Sequence, residues 1–586
     1  MRFSLFLGLA SVAVAVDPLV DLGYAKYQGQ TLQNGVNQWL SMRFAAPVIG
    51  KNRFNAPQAP LPETAVQDST KEGALCVSAN NQEGLQFGSA RQPMAEDCLF
   101  AAVYSPKNAT ETSNLPIMFF ISGGGFNSNS NGNFNGTGLV EASGGNMIVV
   151  RANYRVGMLG FVSGTLIEND KNGAVSNNGM NDIVAALKWT QQFATKFGGD
   201  PNHIVVTGVS AGGNAIDLLV TANNGTGFPG LFVGAISEST GWGSMPNVVT
   251  RDADLQKNIN ATGCLNDPDP INCMRLLPIA EFQNKTLKNG WGPTVEGKLF
   301  TAPQYQLMEQ GKFMKIPIIY GWTSNEGTPD FISNQSATTD EDLIRKFKNN
   351  VPIATDADLQ KLLQLYPDSL NQKDFFGRDV SVKNATLRKG SGIKWQQDAT
   401  ISTELKLACI AGFFSDMHSL HGNTESYHYR YNVLDSTPGG LADQGLFTPH
   451  VNEIYAVFGK NNTDGGDPKC LDIPFAQGGC LEGAKITQSY WMSFVRSLDP
   501  NKFKDPSAPV WEKWTMATPV RVLLDTANAT METTGAGVGE IIIADQNQRQ
   551  RCNKFMLPFS KSINIGMSAG DKLPPFANGT LPDPNA

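Results

Sequence analysis

The 586-residue sequence has few charged residues and no cluster of basic ones. Lysine and arginine number 46 against 53 acidic residues, which gives a formal net charge of −7 and a pI near 5.4. Because a nucleic-acid backbone requires clustered lysine and arginine, this composition excludes nucleic acid as a partner. The chain also lacks low-complexity linkers, charge blocks and internal repeats. We therefore predict that residues 16–586 form a single catalytic domain.

Beyond its first residues the sequence has no apolar run close to the roughly 18 residues that span a bilayer, so we expect no transmembrane segment. Residues 1–15 combine an early positive charge, an apolar run and small residues ending at Ala15, which is typical of a secretory signal peptide. Eight cysteines and ten N-x-S/T sequons agree with secretion to the extracellular space. The candidate glycosylation sites are Asn108, Asn135, Asn224, Asn260, Asn284, Asn334, Asn384, Asn461, Asn528 and Asn578.

The stretch His203–Gly213, HIVVTGVSAGG, combines a short β-branched strand, a glycine-rich turn holding Ser210 and the start of a helix. Gly208, Ala211 and Gly212 carry little or no side chain, so the chain can bend sharply and expose the serine hydroxyl. The first amides of the following helix point where a negative oxygen can be held. The stretch predicts a nucleophile elbow, with a structural turn serine as the alternative.

A second copy of the G-x-S-x-G pattern, at Gly566–Gly570, lacks this context. It follows only three residues that favour a strand, and it runs into a charged pair and then two prolines, which cannot open a helix. We therefore predict that Ser210, and not Ser568, is the nucleophile.

Pro116–Ile121 is a short continuous apolar run, as expected for a buried parallel strand, and Ser122 and three glycines follow it. Unobstructed glycine amides are what a developing oxyanion requires, and a flexible turn is the alternative. Beside an elbow serine we favour the oxyanion hole, with the amides of Gly124, Gly125 and Ala211 as its donors.

Apolar strands alternate with helices through the middle of the chain. Met147–Ala152 and Ile316–Gly321 are predicted buried strands, and Asn181–Phe197 has a helical period that ends at Gly198. The polar block over residues 332–400 is predicted to be helical and to form part of a cap. This alternation predicts an α/β fold in which helices flank a large, mostly parallel central sheet.

The general base can be sought by elimination, because the chain has only five histidines. His203 precedes the elbow strand at the wrong edge, and His428 lies inside a predicted strand. His418 and His421 share a predicted helix, where an H-x-x-H pair lacks further metal ligands. Only His450 lies in a loop past a strand, late in the chain.

Glu326 follows the Ile316–Gly321 strand, at the edge where the carboxyl ends of parallel strands place ligand sites. A serine hydroxyl needs a histidine to accept its proton, and that histidine needs a carboxylate to fix its tautomer. We therefore assign Ser210 as nucleophile, His450 as base and then acid, and Glu326 as the orienting acid. This chemistry acts on a small-molecule ester and requires neither a cofactor nor a metal.

The cysteines form two close pairs and a group of four. Cys264 and Cys273 stand nine positions apart, which favours a local disulfide, and a bridge between Cys76 and Cys98 would close a mostly polar loop. That loop is interpreted either as a stapled surface loop or as a flap beside the active site. The remaining four allow three pairings, with Cys470–Cys480 and Cys409–Cys552 as one of them.

Together these stretches resemble the type-B carboxylesterase/lipase family of α/β-hydrolases, over nearly the whole chain after the signal. The similar segments are AEDCLFAAVY, SGGGF, NYRVGMLGF, NNGMNDIVAALKWTQQFATKFGGDP, GVSAGG, SNEGT, HVNEIYAVFG and YWMSFVRSLDPN. The resemblance implies an α/β-hydrolase fold with cap or lid insertions, and it implies the triad and oxyanion residues above. It also implies disulfides Cys76–Cys98 and Cys264–Cys273.

The chain departs from that family at three places. Val209 stands where the residue before the nucleophile is usually glutamate, and Ser122 stands where histidine or tyrosine is common. The loop between Cys76 and Cys98 contains no tryptophan. A quaternary-ammonium site therefore lacks its usual means of attraction, which argues against cholinesterase activity.

Three functions compete on this sequence. We favour a secreted serine esterase for small to medium or polar carboxylic esters, because the Cys76–Cys98 loop has few sizeable apolar residues for an interfacial lid. The first alternative is a lipase or sterol esterase that acts on long-chain acyl esters at an interface. The second is a non-catalytic binding protein on the same fold, although all three triad positions are filled here. Substrate pockets are assembled from distant loops, so the sequence leaves the natural ester and the oligomeric state open.

Overall fold

The computed structural model describes residues 15–78, 86–87, 92–129, 133–286, 290–329, 332, 336–373, 391–463, 466–533 and 548–565. Three predictions fall outside that set. They are the signal peptide up to residue 14, the second G-x-S-x-G copy around Ser568, and the sequons at Asn334, Asn384 and Asn578.

The strands are numbered in chain order. They are β1 (Leu19–Asp21), β2 (Lys26–Gln28), β3 (Gln30–Thr31), β4 (Val36–Arg43), β5 (Val66–Asp68), β6 (Leu75–Cys76), β7 (Gln86–Phe87), β8 (Gln92–Ala95), β9 (Phe100–Pro106), β10 (Leu115–Ile121), β11 (Ile148–Ala152), β12 (Gly199–Val209), β13 (Gly234–Glu238), β14 (Ile318–Thr323), β15 (Ser426–Asn432), β16 (Val520–Asp525) and β17 (Ala529–Thr533).

The α-helices are numbered in the same way. They are α1 (Thr137–Ala142), α2 (Gly157–Phe161), α3 (Thr165–Glu168), α4 (Asn178–Phe193), α5 (Ala211–Thr221), α6 (Val248–Thr262), α7 (Pro270–Leu276), α8 (Ile279–Lys285), α9 (Gln304–Glu309), α10 (Asp340–Asn350), α11 (Asp356–Leu365), α12 (Trp395–Thr403), α13 (Cys409–Leu420), α14 (Glu453–Phe458), α15 (Leu481–Ser497) and α16 (Leu557–Asn564). A π-helical turn, Glu404–Ala408, joins α12 to α13.

Eleven strands form one sheet in the order β17-β16-β15-β14-β13-β12-β10-β11-β9-β4-β3. The strands from β16 to β11 run parallel to their neighbours, whereas the pairs at the two margins are antiparallel. Parallel strands covered by helices on both faces must be apolar along their length, and β10, with the sequence LPIMFFI, is buried throughout its second half. The predicted α/β fold with a mostly parallel central sheet is therefore confirmed.

Strand β12, which carries Ser210, lies between Gly198 at the end of one helix and the start of the next, α5. Helix α4 continues into a 3₁₀ turn that ends at Gly198, whose φ of 84° is the left-handed conformation that favours glycine. The chain then enters β12, which delivers Ser210 to the carboxyl edge of the sheet, and α5 begins at the next residue. The observed α4 starts three residues before the predicted start at Asn181.

Four disulfides join the cysteines. The pairs Cys76–Cys98 and Cys264–Cys273 are local, with sequence separations of 22 and 9 residues. Cys470–Cys480 closes another short loop, whereas Cys409–Cys552 ties α13 to the C-terminal segment across 143 positions. A bridge over so long a loop constrains the unfolded chain more than a local one does.

Most of the sequon asparagines among the described residues lie at the surface, as glycosylation requires. The asparagines at six sequons are exposed, namely Asn108, Asn224, Asn260, Asn284, Asn461 and Asn528, and Asn135 is half-buried. Their use as glycosylation sites stays a prediction. No helix within the described ranges is long and apolar enough to cross a membrane.

Candidate active site

Ser210 lies at the tip of a strained turn between β12 and α5. Its φ of 59° and ψ of −122° are uncommon for a residue with a side chain, and its backbone N–H donates to the Glu238 carbonyl at 2.9 Å. A Cβ at Gly212 would lie 2.1 Å from the Ile121 carbonyl oxygen, and one at Gly208 would lie 2.7 Å from the Gly212 backbone. Only glycine therefore allows the helix to approach the neighbouring strand this closely and hold the serine outward.

The structure brings Ser210, His450 and Glu326 together, although they are far apart in the sequence. His450 Nε2 lies 2.8 Å from Ser210 Oγ, and His450 Nδ1 lies 2.5 Å from Glu326 Oε2. The other carboxylate oxygen of Glu326 accepts the Thr323 backbone N–H at 2.8 Å. The residues predicted to be nucleophile, base and orienting acid thus form one hydrogen-bonded chain.

Two loops are joined so that His450 reaches this position. The backbones at Asn325 and Pro449 form a parallel bridge, which links the loop after β14 to the loop that carries His450. Thr448 donates its hydroxyl to the Asn325 side chain at 3.0 Å, and Thr323 donates its hydroxyl to the Pro449 carbonyl at 3.0 Å. The acid and the base are therefore held by the same set of contacts.

The predicted oxyanion donors lie beside the serine. Gly125 and Ala211 line the same cavity as Ser210 and His450, whereas Gly124 does not contribute to the cavity wall. None of the three amides donates a hydrogen bond to another described residue. Gly124 has a φ of 120°, and a Cβ there would lie 2.0 Å from the Ser128 carbonyl oxygen, so this turn requires glycine.

The cavity over Ser210 has a volume of about 350 Å³ and a mainly apolar wall. Beyond the elbow and Phe126, its wall comes from Trp242, from Leu405 and Leu407 of the π-helical turn, and from Ile563 of α16. None of the described residues of the Cys76–Cys98 loop lines it. The sequence-based interpretation of that loop as a flap therefore gains no support from the described part of the loop.

Two buried glutamates behind the triad were not assigned a role from the sequence. Glu453 accepts hydrogen bonds from the hydroxyls of Ser239 at 2.5 Å and Tyr429 at 2.9 Å. Burial, and then the neighbouring Glu326 carboxylate, raise the pKa of Glu453 to about 7. Burial and the nearby Glu453 raise the pKa of Glu238 well above its usual range. The signal that could have found Glu453 is its position three residues after His450, in a segment that the family resemblance covers.

Asp217 lies two turns along α5 from Ser210 and is fully buried. Its carboxylate accepts hydrogen bonds from Ser237 at 3.2 Å and Thr240 at 2.5 Å, yet burial outweighs them and raises its pKa to about 8. A carboxyl whose pKa rises on folding binds a proton that the unfolded chain has already released. Its contribution to stability is therefore full below the ordinary carboxyl pKa and is lost as pH rises towards 8.

We therefore expect Asp217→Asn to flatten the pH dependence of stability. Asparagine keeps the size of the side chain and cannot ionise, and it can accept one of the two hydrogen bonds while its NH₂ group donates to the other hydroxyl. Between pH 5 and pH 7.5 the free energy of unfolding of the variant should gain on that of the wild type by about 1.4 kcal/mol per pH unit. Urea unfolding at both pH values measures this difference. Equal differences at the two pH values would show that Asp217 does not titrate on folding.

The other four histidines lie away from the serine, and among them His421 contacts the Glu309 carbonyl through Nε2. His203 is part of β12 and contacts the Val495 carbonyl, and His428 is buried in β15 beside Ser415. Burial lowers the pKa of His418 to about 3, and its ring contacts Asn423 and Tyr320. The one group of three metal-ligand residues found among the described residues is Glu404, Cys409 and Cys552, whose two cysteines are joined in a disulfide.

Comparisons with known proteins agree with this geometry. Residues 16–537 match the model of the carboxylesterase family. The chain is 33% identical over 305 residues to pyrethroid hydrolase Ces2e of Rattus norvegicus, covering 50% of this chain and about half (52%) of that relative's length. It is 27% identical over 545 residues to lipase 2 of Diutina rugosa, covering 86% of this chain and 90% of the lipase. Among solved structures, EstA of Aspergillus niger matches with a TM-score of 0.78 and 30% identity, over 92% of this chain and 99% of that one.

Proposed function

This chain belongs to the carboxylesterase family, and we propose that it is a secreted serine hydrolase that cleaves carboxylic esters through an acyl-enzyme on Ser210. The observation that carries the proposal is the hydrogen-bonded chain from Ser210 Oγ through His450 to Glu326, at the floor of a cavity open to a small molecule. A non-catalytic role for the same fold would not require these three side chains to meet.

The proposed reaction has two halves. Ser210 Oγ attacks the ester carbonyl while its proton passes to His450 Nε2, and Glu326 stabilises the imidazolium that forms. The free amides of Gly125 and Ala211, with that of Gly124, take up the negative charge on the carbonyl oxygen. His450 then protonates the leaving alcohol. Water, deprotonated by His450, attacks the acyl-enzyme, and the carboxylic acid leaves as Ser210 regains its proton.

We further propose that the substrates are small to medium or polar esters. The 350 Å³ cavity lies near the lower end of the range for small-molecule sites, which supports a short acyl group over a long chain. The 27% identity to lipase 2 supports the alternative, which is hydrolysis of long-chain acyl esters at an interface. Secretion is supported by the signal-like residues 1–15 and by the four disulfides.

The preferred length of the acyl chain distinguishes the proposed esterase from the alternative, an interfacial lipase. We expect kcat/KM for p-nitrophenyl butyrate to exceed that for p-nitrophenyl palmitate by at least tenfold, because a cavity of about 350 Å³ favours a short acyl group. The rate should also rise smoothly with substrate concentration through the solubility limit. A sharp rise at the onset of emulsion, with palmitate as the better substrate, would assign the protein to the interfacial lipases instead.

A further inference from the structure

A second cavity, with a volume of about 130 Å³, adjoins the catalytic one. The two share four wall residues, namely Gly125, Phe126, Asn214 and Gly243. At about 30 Å³ for each water molecule, the second cavity holds about four water-sized groups, which suits one small polar substituent. We name it the side pocket, and its far wall contains Arg251 of α6 and Trp291.

Arg251 is held by fewer hydrogen bonds than the buried arginines Arg53 and Arg155. It is 7% exposed, its Nε has no hydrogen-bond partner among the described residues, and its nearest acid is Asp254, with Nη1 to Oδ2 at 3.6 Å. Two other buried arginines behave differently, because Arg53 and Arg155 each hold a carboxylate with two hydrogen bonds of 2.5 to 2.8 Å. Since a guanidinium stays charged and a buried charge requires acceptors, the long ion pair with Asp254 leaves Arg251 less fully satisfied than the other two arginines.

Trp291 adds a second donor to the same wall. Its ring lies under the guanidinium, with Arg251 Cζ 5.2 Å from the ring centroid, and its indole N–H is buried without a partner among the described residues. Buried donors are mostly satisfied in folded proteins, and these two adjacent unsatisfied donors belong to residues that line the side pocket, which favours an acceptor group as its ligand. Asn564 contributes a buried side-chain oxygen without a donor, where a ligand hydroxyl could bind.

Glycine leaves the junction between the two cavities open. A Cβ built on Gly125 or on Gly243 would meet no atom within 4 Å, so open space borders both of these shared wall residues. A substrate bound for attack by Ser210 can therefore extend one arm past these glycines towards Arg251.

From this geometry we propose that the side pocket binds a carboxylate carried by the ester substrate, on Arg251 and the Trp291 N–H. The inference rests on the proposed ester hydrolysis at Ser210 and specifies its substrate class as anionic esters, such as half-esters of dicarboxylic acids. A planar guanidinium that forms two parallel hydrogen bonds with a carboxylate gives both attraction and orientation. A site with such buried donors disfavours an analogue that lacks the acceptor, because its donors then stay unpaired.

The test compares matched charged and neutral esters. Monoethyl adipate and diethyl adipate place the carboxylate on the acyl side, and 4-acetoxybutyrate and its methyl ester place it on the alcohol side. For the wild type we expect kcat/KM to be at least tenfold higher for the anionic member of one pair. Arg251→Gln should reduce that ratio at least tenfold, and Arg251→Lys, which keeps the charge but not the planar fork, should restore part of it.

Lys285→Gln is the matched control, because it removes an exposed cation of α8 that pairs with Glu281 and not with Asp254, and it should leave the ratio unchanged. A ratio near one in both pairs, or an equal ratio in wild type and Arg251→Gln, would overturn the side-pocket inference while leaving ester hydrolysis intact. Failure of the wild type to cleave any of the four esters or p-nitrophenyl butyrate would instead contradict the proposed function. The pair of esters in which the anionic member is preferred identifies whether the acyl side or the alcohol side of the ester enters the pocket.

Discussion

Replacing Ser210 by alanine is expected to lower kcat/KM for p-nitrophenyl butyrate by roughly 10⁴-fold to 10⁶-fold. In the proposed reaction, the hydroxyl that lies 2.8 Å from His450 Nε2 is the atom that attacks the ester. Steady-state hydrolysis of the purified variant measures the loss. Binding should survive, because the cavity wall is otherwise unchanged.

The double variant Ser210→Ala/His450→Ala provides the sharper form of this test. If serine and histidine act as one unit, removing the second after the first should change the rate by less than about threefold, since groups that act together are far from additive. Independent contributions would instead multiply. A thermal melt close to that of the wild type is the control, because Ser210→Ala only removes an oxygen. A multiplicative loss would show that His450 does not activate Ser210.

Replacing Glu326 by glutamine is expected to lower kcat by roughly 10³-fold to 10⁴-fold. Glutamine keeps the size of the side chain and can still accept the Thr323 N–H, but it offers an amide that can donate to His450 Nδ1. The imidazole would then hold its proton on Nε2, where it cannot accept the proton of Ser210. The loss should appear in kcat more than in KM, because Glu326 is fully buried and does not line the cavity.

Glu326→Asp is the matched control for that substitution. It keeps the charge but shortens the side chain, so we expect a loss well below that of Glu326→Gln. Burial raises the pKa of Glu238 and Glu453 above the usual range, which disfavours a negative charge on either of them and leaves Glu326 as the orienting charge in this account. Equal activity of wild type and Glu326→Gln would assign the orienting charge to another group.

Short-range sequence signals predicted the elements at the centre of the sheet. The helix expected to start after Ser210 begins at Ala211, and the strand expected over Met147–Ala152 is observed as Ile148–Ala152, because glycines and apolar runs define these elements locally. The strand expected over Ile316–Gly321 is observed as Ile318–Thr323, since its end depends on pairing with β13 and β15. The three side chains that were assigned from the chain order serine, acid and histidine are also observed in contact with one another.

Contacts between distant loops could not be predicted in this way. The sequence left three pairings open for the last four cysteines, and only the packing of α13 against the C-terminal segment brings Cys409 and Cys552 to a Cα–Cα distance of 5.1 Å. The side pocket is assembled from Gly125, Arg251, Trp291 and Asn564, which share no local pattern. The role of Glu453 likewise depends on Ser239 and Tyr429, which come from two other parts of the chain.

The measurement that tests the central claim most directly is covalent labelling with a fluorophosphonate, followed by mass spectrometry of the digested protein. Activation of Ser210 by His450 predicts one adduct for each chain, on the peptide that contains Ser210, and its formation should parallel the loss of ester hydrolysis. The adduct should be absent from Ser210→Ala and strongly slowed in His450→Ala. Labelling of a different residue, or complete resistance of the wild type while it still hydrolyses esters, would contradict the account.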